Sequence, residues 1–301
     1  MGRLDGRVVV VTGAGRGIGA SIARRCATEG AKVVVNDLGG NLDGTGADQG
    51  PASEVAEEIR KAGGAAVANY ANVADYNAAE GIIRTALDEF GRLDVLVNVA
   101  GILRDRMVFN MTEEEWDAVI AVHLKGTFNT SKFASIYWRQ AREGHYRLIN
   151  FTSGSGLNGA AGQPNYAAAK MGIVGFTYSC ANSLGRYGVT ANAISPGAAT
   201  RMTASVPDER RRAAPRQEED PQRSPDNVAP AVVYLASPDS DWITGRVIGA
   251  SGYQISLYNN PAVIGRLSSE GPWNLEDVFS GFEKDFRPVI EGQRGPGRQS
   301  Q

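Results

Sequence analysis

The chain has 301 residues with 31 basic against 33 acidic side chains, a formal charge of -2, so no broad positive field draws nucleic acid or an anionic membrane to it. A chain of this length buries roughly three quarters of its unfolded surface, and Cys26 and Cys180 show no metal-ligand spacing, so stability needs neither disulfides nor a metal. No apolar run approaches the roughly 20 residues that span a bilayer, and the opening residues lack an apolar signal core, which makes the cytoplasm the expected compartment.

Taken in chain order, short β-branched runs alternate with longer helical patterns. Strands are expected at 7–12, 32–36, 65–70, 93–98, 146–152 and 189–194, and helices at 17–29, 51–61, 79–90, 112–137 and 165–184. Strands of five or six residues that are apolar throughout suit a parallel sheet covered by helices on both faces. Right-handed crossovers then give an α/β, doubly wound parallel sheet, the Rossmann fold, as a single domain over 1–252 with a C-terminal extension over 253–301.

Three stretches break this rhythm. Residues 38–50 form a polar, glycine-rich loop longer than the usual connection, either a cover over a ligand or a surface insertion. Residues 201–227 are crowded with charge and proline and read as a mobile segment. After Gly252 the alternation stops; residues 255–290 hold Trp273 and too many apolar side chains to stay exposed, so they are expected to fold back over the domain, and the last dozen residues to be disordered.

Val8 to Val11 run into Thr12-Gly13-Ala14-Gly15-Arg16-Gly17-Ile18-Gly19, a glycine-rich turn between strand and helix. Such glycines let backbone N–H groups approach a pyrophosphate, and the positive end of the following helix stabilises its charge. Asp37 follows the second strand about 20 residues beyond the glycines, where a carboxylate accepts hydrogen bonds from an adenosine ribose and repels a 2′-phosphate. Arg16 could instead pair with that phosphate. The carboxylate outweighs it, so NAD is the expected cofactor.

Tyr166 and Lys170 stand four residues apart, on one face of a helix. A phenol near pKa 10 is a poor base at neutral pH and needs neighbouring positive charge, which Lys170 and an oxidised nicotinamide would supply. Ser153 lies thirteen residues before Tyr166, at the carboxyl end of an expected strand, where open α/β sheets hold their ligands.

Thr12 to Gly19, Asn98-Val99-Ala100-Gly101, Ser153, Tyr166 and Lys170 together resemble the signature set of the short-chain dehydrogenase/reductase family, over roughly residues 6 to 252. The resemblance implies that Tyr166 is the general acid/base, that Lys170 holds the nicotinamide ribose and lowers the tyrosine pKa, and that Ser153 orients the reacting oxygen. It also implies cofactor contacts from Gly13, Arg16, Gly17, Ile18 and Gly19, from Asn98, Ala100 and Gly101 on the nicotinamide side, from Asn72 and Val73 near the adenine, and from Pro196, Gly197, Ala199 and Thr200 by the carboxamide. No metal is implied. The family usually has aspartate at the position of Asn72, asparagine at Val99, and at His123 an asparagine of its proton relay. His123 replaces that asparagine if the relay uses the backbone carbonyl; otherwise it is a buried, hydrogen-bonded structural histidine.

A closer likeness rests on residues 33–40, 101–106, 122–124 and 200–203. These are similar to the dehydrogenase units of the type 2 multifunctional enzymes of peroxisomal β-oxidation, also described as 17β-hydroxysteroid dehydrogenases, and to their bacterial relatives, which share the histidine. The implied reaction is NAD-dependent oxidation of a (3R)-hydroxyacyl-CoA by a free-standing homodimer or homotetramer. A 17β-hydroxysteroid or other bulky secondary alcohol is the alternative substrate. A noncatalytic nucleotide sensor would predict a broken Ser, Tyr, Lys set, and here the set is whole. Arg210, Arg211 and Arg212 would either pair with coenzyme A phosphates or form a solvated helix face.

Overall fold

Valine-rich runs form the first strands. These are β1 (Val8–Thr12), β2 (Lys32–Asn36), β3 (Ala65–Asn69), β4 (Val95–Asn98), β5 (Tyr146–Phe151) and β6 (Val189–Gly197). The computed structural model describes residues 2–142, 144–198 and 220–293. Val9 and Val11 of β1 enter a core with Ile22, Val33 and Val232, whereas Val8 and Val10 enter another with Ile82, Leu96 and Trp138. Burial on both faces is why these strands are apolar throughout.

The sheet has eight strands in the order β3-β2-β1-β4-β5-β6-β7-β8, where β7 is Val247–Ser251 and β8 is Gln254–Leu257. The first seven run parallel: Val10 of β1 sits between Val34 of β2 and Leu96 of β4. Strand order reverses at β1, so the carboxyl ends of β1 and β4 open a crevice at the switch point.

Two layers of helix cover the sheet. α1 (Gly17–Thr28) and α2 (Gly50–Lys61) lie on one face; α3 (Tyr76–Phe90), α4 (Glu113–Ile120), α5 (Gly126–Ala141) and α7 (Pro164–Leu184) lie on the other, with the short α6 (Gly154–Asn158) following β5. Local chemistry sets their ends. Asp75 caps α3 by accepting from the Ala78 N–H at 2.8 Å, and Gly91 ends it in a left-handed conformation. Thr112 and Glu115 form a capping box at the start of α4. In α5 the buried Trp138 indole donates to Leu93 O at 2.9 Å, so its polar atom is satisfied inside the core.

The structure departs from the sequence expectations in three places. The helix expected over 112–137 contains a π-helical turn at Ala121–Lys125 between α4 and α5, a widening that turns His123 into the core. The sheet does not end near Gly252: that residue turns the chain at φ +55° into β8, which pairs antiparallel with β7. Within the stretch expected to be mobile, residues 220–227 form two short 3-10 turns, followed by α8 (Ala229–Ala236), whose apolar side packs against α1. Residues 201–219, with Arg210, Arg211 and Arg212, lie outside the described residues.

By compactness the chain divides into Met1–Asn259 and Asn260–Gln301. The second unit contains α9 (Leu275–Gly281), a π turn at Phe282–Phe286 and α10 (Arg287–Gln293); Asn274 caps α9 by accepting from Asp277 N–H at 2.9 Å. No helix among the described residues is long and apolar enough to cross a membrane.

Candidate active site

The crevice begins with the turn after β1. Gly13 has φ +66°, and a Cβ there would lie 2.7 Å from Ala100 Cα; a Cβ on Gly19 would lie 2.1 Å from Gly13 O. Only glycine fits either position. Thr12 ties the turn to the end of β4, its hydroxyl accepting from the Val99 and Ala100 N–H groups at 3.2 and 3.3 Å. No side chain caps α1, which leaves its first N–H groups to a ligand.

Asp37, just past β2, is fixed by two backbone donors: Gly15 N–H to Oδ2 at 2.8 Å and Gly39 N–H to Oδ1 at 2.6 Å. Its carboxylate therefore stands beside the glycine turn. A cavity of about 340 Å³ is lined by Gly13, Arg16, Gly17, Ile18, Gly19, Asp37, Gly101, Tyr166, Lys170, Pro196 and Gly197, with Val99, Phe151, Thr152 and Ala198. A second hollow of about 100 Å³ shares Gly13, Asp37 and Gly101, and adds Asn72, Val73, Ala100 and Ile102. The glycine cradle, the uncapped helix and the anchored carboxylate fit an extended dinucleotide. Ala199 and Thr200 lie outside the described residues.

Asn98 sits below the cavity in a buried network: its amide donates to Asn150 Oδ1 at 3.0 Å and Ser131 Oγ at 3.2 Å, and its Oδ1 accepts from Thr130 at 2.7 Å. The network continues from Asn150 to Thr177 at 2.9 Å. Thr12 and Asn98 belong to the quoted motifs, but Thr130, Ser131, Asn150 and Thr177, which hold Asn98 in place, do not; they come from two helices and a neighbouring strand, and no local pattern marks them.

Ser153 follows β5 and caps α6, its hydroxyl accepting from Gly156 N–H at 3.1 Å. Burial pushes the Tyr166 phenol up to about 12, against a lowering by its hydrogen bond to Ser153. Lys170 Nζ lies 5.6 Å from the Tyr166 ring centroid and donates to Phe151 O at 2.8 Å. Burial pulls its ammonium down to about 7. The three side chains come together here, and burial is the largest influence on both the phenol and the ammonium.

His123 lies behind them. Its Nε2 is 2.8 Å from Ile102 O and 3.1 Å from Ile102 N, donating to the carbonyl in one tautomer and accepting from the N–H in the other. Its ring meets Tyr166 edge-on at 5.1 Å, and a Cβ on Gly101 would strike Cε1 at 2.2 Å. Burial, then the Lys170 ammonium, hold its pKa well below the usual imidazole value, so the ring is neutral at physiological pH.

A stability test follows from Lys170. Between pH 7 and its ordinary 10.5 the folded chain binds fewer protons at this site than the unfolded chain, so stability rises with pH across that window. Lys170→Met removes the buried charge. Its melting temperature, measured by scanning calorimetry, is expected to exceed that of the wild type most at pH 6 and least at pH 9; a pH-independent difference would refute a depressed lysine.

A family profile described as enoyl-(acyl carrier protein) reductase matches residues 13–252. Hydroxyacyl-CoA dehydrogenase ChsB1 of Mycobacterium tuberculosis is 44% identical over 303 residues, covering 94% of this chain and 91% of that protein. Peroxisomal multifunctional enzyme type 2 of Drosophila melanogaster is 42% identical over 284 residues, covering 92% of this chain and 45% of that longer protein. A crystal structure of a short chain dehydrogenase from Mycobacterium avium superposes with a TM-score of 0.81 at 44% identity, covering 100% of this chain and 98% of that one. Likeness of this extent, on a sheet whose switch point carries the glycine cradle and the serine, tyrosine and lysine, means that the chain belongs to the short-chain dehydrogenase/reductase family of oxidoreductases.

Proposed function

We propose that the chain is an NAD-dependent dehydrogenase that oxidises a (3R)-hydroxyacyl-CoA to the 3-ketoacyl-CoA. The observation that carries this is the meeting of Ser153, Tyr166 and Lys170 beside the cavity lined by Asp37. Its substrate class is supported by the 44% identity, over nearly full length, to a protein named hydroxyacyl-CoA dehydrogenase.

NAD bound in the cavity supplies the acceptor for the hydride, so the products are the ketone, NADH and one proton. Gly13 and the first N–H groups of α1 would hold the pyrophosphate, and Asp37 would hold the adenosine ribose. Ser153 donates to the carbinol oxygen and holds it facing Tyr166. Tyr166 as phenolate takes the hydroxyl proton, and Lys170, with Nζ 5.6 Å from the ring centroid, favours that phenolate to the extent that it is protonated. Neutral His123 seats the phenol ring through the edge-on contact. Two buried free thiols suit a reducing compartment, the cytoplasm, and the family likeness supports a homodimer or homotetramer.

A 17β-hydroxysteroid or another bulky secondary alcohol would use the same residues. The test follows reduced-nicotinamide absorbance with NAD or NADP and a panel of (3R)- and (3S)-hydroxyacyl-CoAs and a 17β-hydroxysteroid. Fast reduction of NAD by the (3R)-thioester is the expected result. Turnover of the steroid alone would discard the thioester, and silence across the panel would discard both.

A further inference from the structure

The loop over residues 38–50 has no part in the chemistry above, yet it is tied to the catalytic residues. It is internally closed: Asp48 N–H donates to Leu38 O at 2.9 Å and Asn41 N–H to Thr45 O at 2.8 Å. Its root is Asp37, through Gly39. Three consecutive residues at its tip then grip three consecutive residues after β4. Leu42 O accepts from Leu103 N–H at 2.9 Å, and Asp43 O accepts from the Arg104 side chain at 2.8 Å. Gly44, at φ +86°, lies so close to Ile102 that a Cβ there would be 2.9 Å from Ile102 Cδ1.

From that segment two connections reach Tyr166. One runs from the Ile102 backbone to His123 Nε2, and from the His123 ring edge-on to the Tyr166 ring. The other runs through Arg104: its carbonyl accepts from the Asn165 amide at 3.0 Å, and Asn165 Oδ1 accepts from the Tyr166 N–H at 2.7 Å. The Arg104 guanidinium also donates to Glu114 O at 3.2 Å, at the start of α4. One side chain thus bridges the loop tip and the base of the helix layer, while its own backbone holds the start of the catalytic helix.

We infer that Arg104 is a positioning residue that couples occupation of the adenosine side of the cavity, beside Asp37, to the placement of Tyr166. The inference rests on the nucleotide reading of the cavity. A ligand that orders the 38–50 loop fixes Leu42, Asp43 and Gly44, and through them the 102–104 segment from which Asn165 and Tyr166 hang. Binding of the part of the cofactor remote from the reaction thereby aligns the phenol, as remote binding energy does when it is used for orientation. The guanidinium reaches two carbonyls at once; a lysine ammonium on the same stem reaches one.

The test uses AMP, which carries the adenosine half alone, and hydrogen exchange read by mass spectrometry. In the wild type, AMP is expected to slow exchange over residues 38–48 and also over 101–106 and 163–168. In Arg104→Ala the first protection stays and the protection at 163–168 is weakened, since the Leu42–Leu103 backbone link remains. The same variant should lose about tenfold in kcat, within the usual range of coupling between sites, while KM for NAD changes less than about twofold. Arg104→Lys should recover part of both. Protection at 163–168 that is undiminished in Arg104→Ala, or an unchanged kcat, overturns the coupling although the nucleotide site stands. If AMP protects no segment and does not bind by calorimetry, the nucleotide reading falls and the coupling with it.

Discussion

Tyr166→Phe is expected to lower kcat for alcohol oxidation by about 10² to 10⁴, the usual contribution of a positioned acid/base, with NAD affinity almost unchanged. The substitution removes only the hydroxyl. The ring that remains keeps its edge-on contact with His123 at 5.1 Å and its place 5.6 Å from Lys170 Nζ, so fold and cavity are preserved. Loss of kcat without loss of binding marks an interaction made in the transition state alone. The pH profile provides a second readout. Because the buried phenol of the free enzyme is pushed up to about 12, kcat/KM for oxidation should climb with pH through the alkaline range in the wild type. That climb should vanish in the phenylalanine variant. Full turnover by Tyr166→Phe would remove the phenol from the mechanism and leave the proton acceptor to another group.

Most strands and helices up to residue 198 were legible because they carry their own signal, valine runs buried on both faces and glycines at the turn after β1, whereas the short α6 was not. Ser153, Tyr166 and Lys170 were legible for the same reason, being set by spacing along one helix and by one strand end. What escaped depends on partners remote in sequence. The π turn at Ala121–Lys125 interrupts no apolar period, and its purpose is visible only once Ile102 is seen against His123. β8 is exposed and only four residues long; it exists because β7 offers an edge, which no local pattern announces. The spacing of Tyr166 and Lys170 announces their charges but not their burial, which is the largest influence on both groups and depends on packing from remote parts of the chain. His123 was read as either relay or structural. Its neutral ring, fixed between Ile102 and Tyr166, gives it a task that charge arguments alone did not supply.

Asp37→Ala should relax the proposed preference for NAD over NADP on the order of 10²-fold, since a like charge facing the 2′-phosphate costs several kcal/mol. The carboxylate has a second job, accepting from the Gly15 and Gly39 N–H groups. Alanine removes both functions, so some NAD affinity should be lost with the anchoring. Asp37→Asn separates them: its amide oxygen still accepts a backbone hydrogen bond, but the charge is gone. If charge sets the preference, both variants shift the ratio of kcat/KM for the two cofactors. If anchoring sets it, only alanine does. Arg16 lines the same cavity and has the guanidinium fork that suits a phosphate. Adding Arg16→Ala to Asp37→Asn should therefore cancel much of the gain in NADP use while leaving NAD turnover near that of the single variant. A ratio that stays fixed in both Asp37 variants would show that the ribose carboxylate does not select the cofactor.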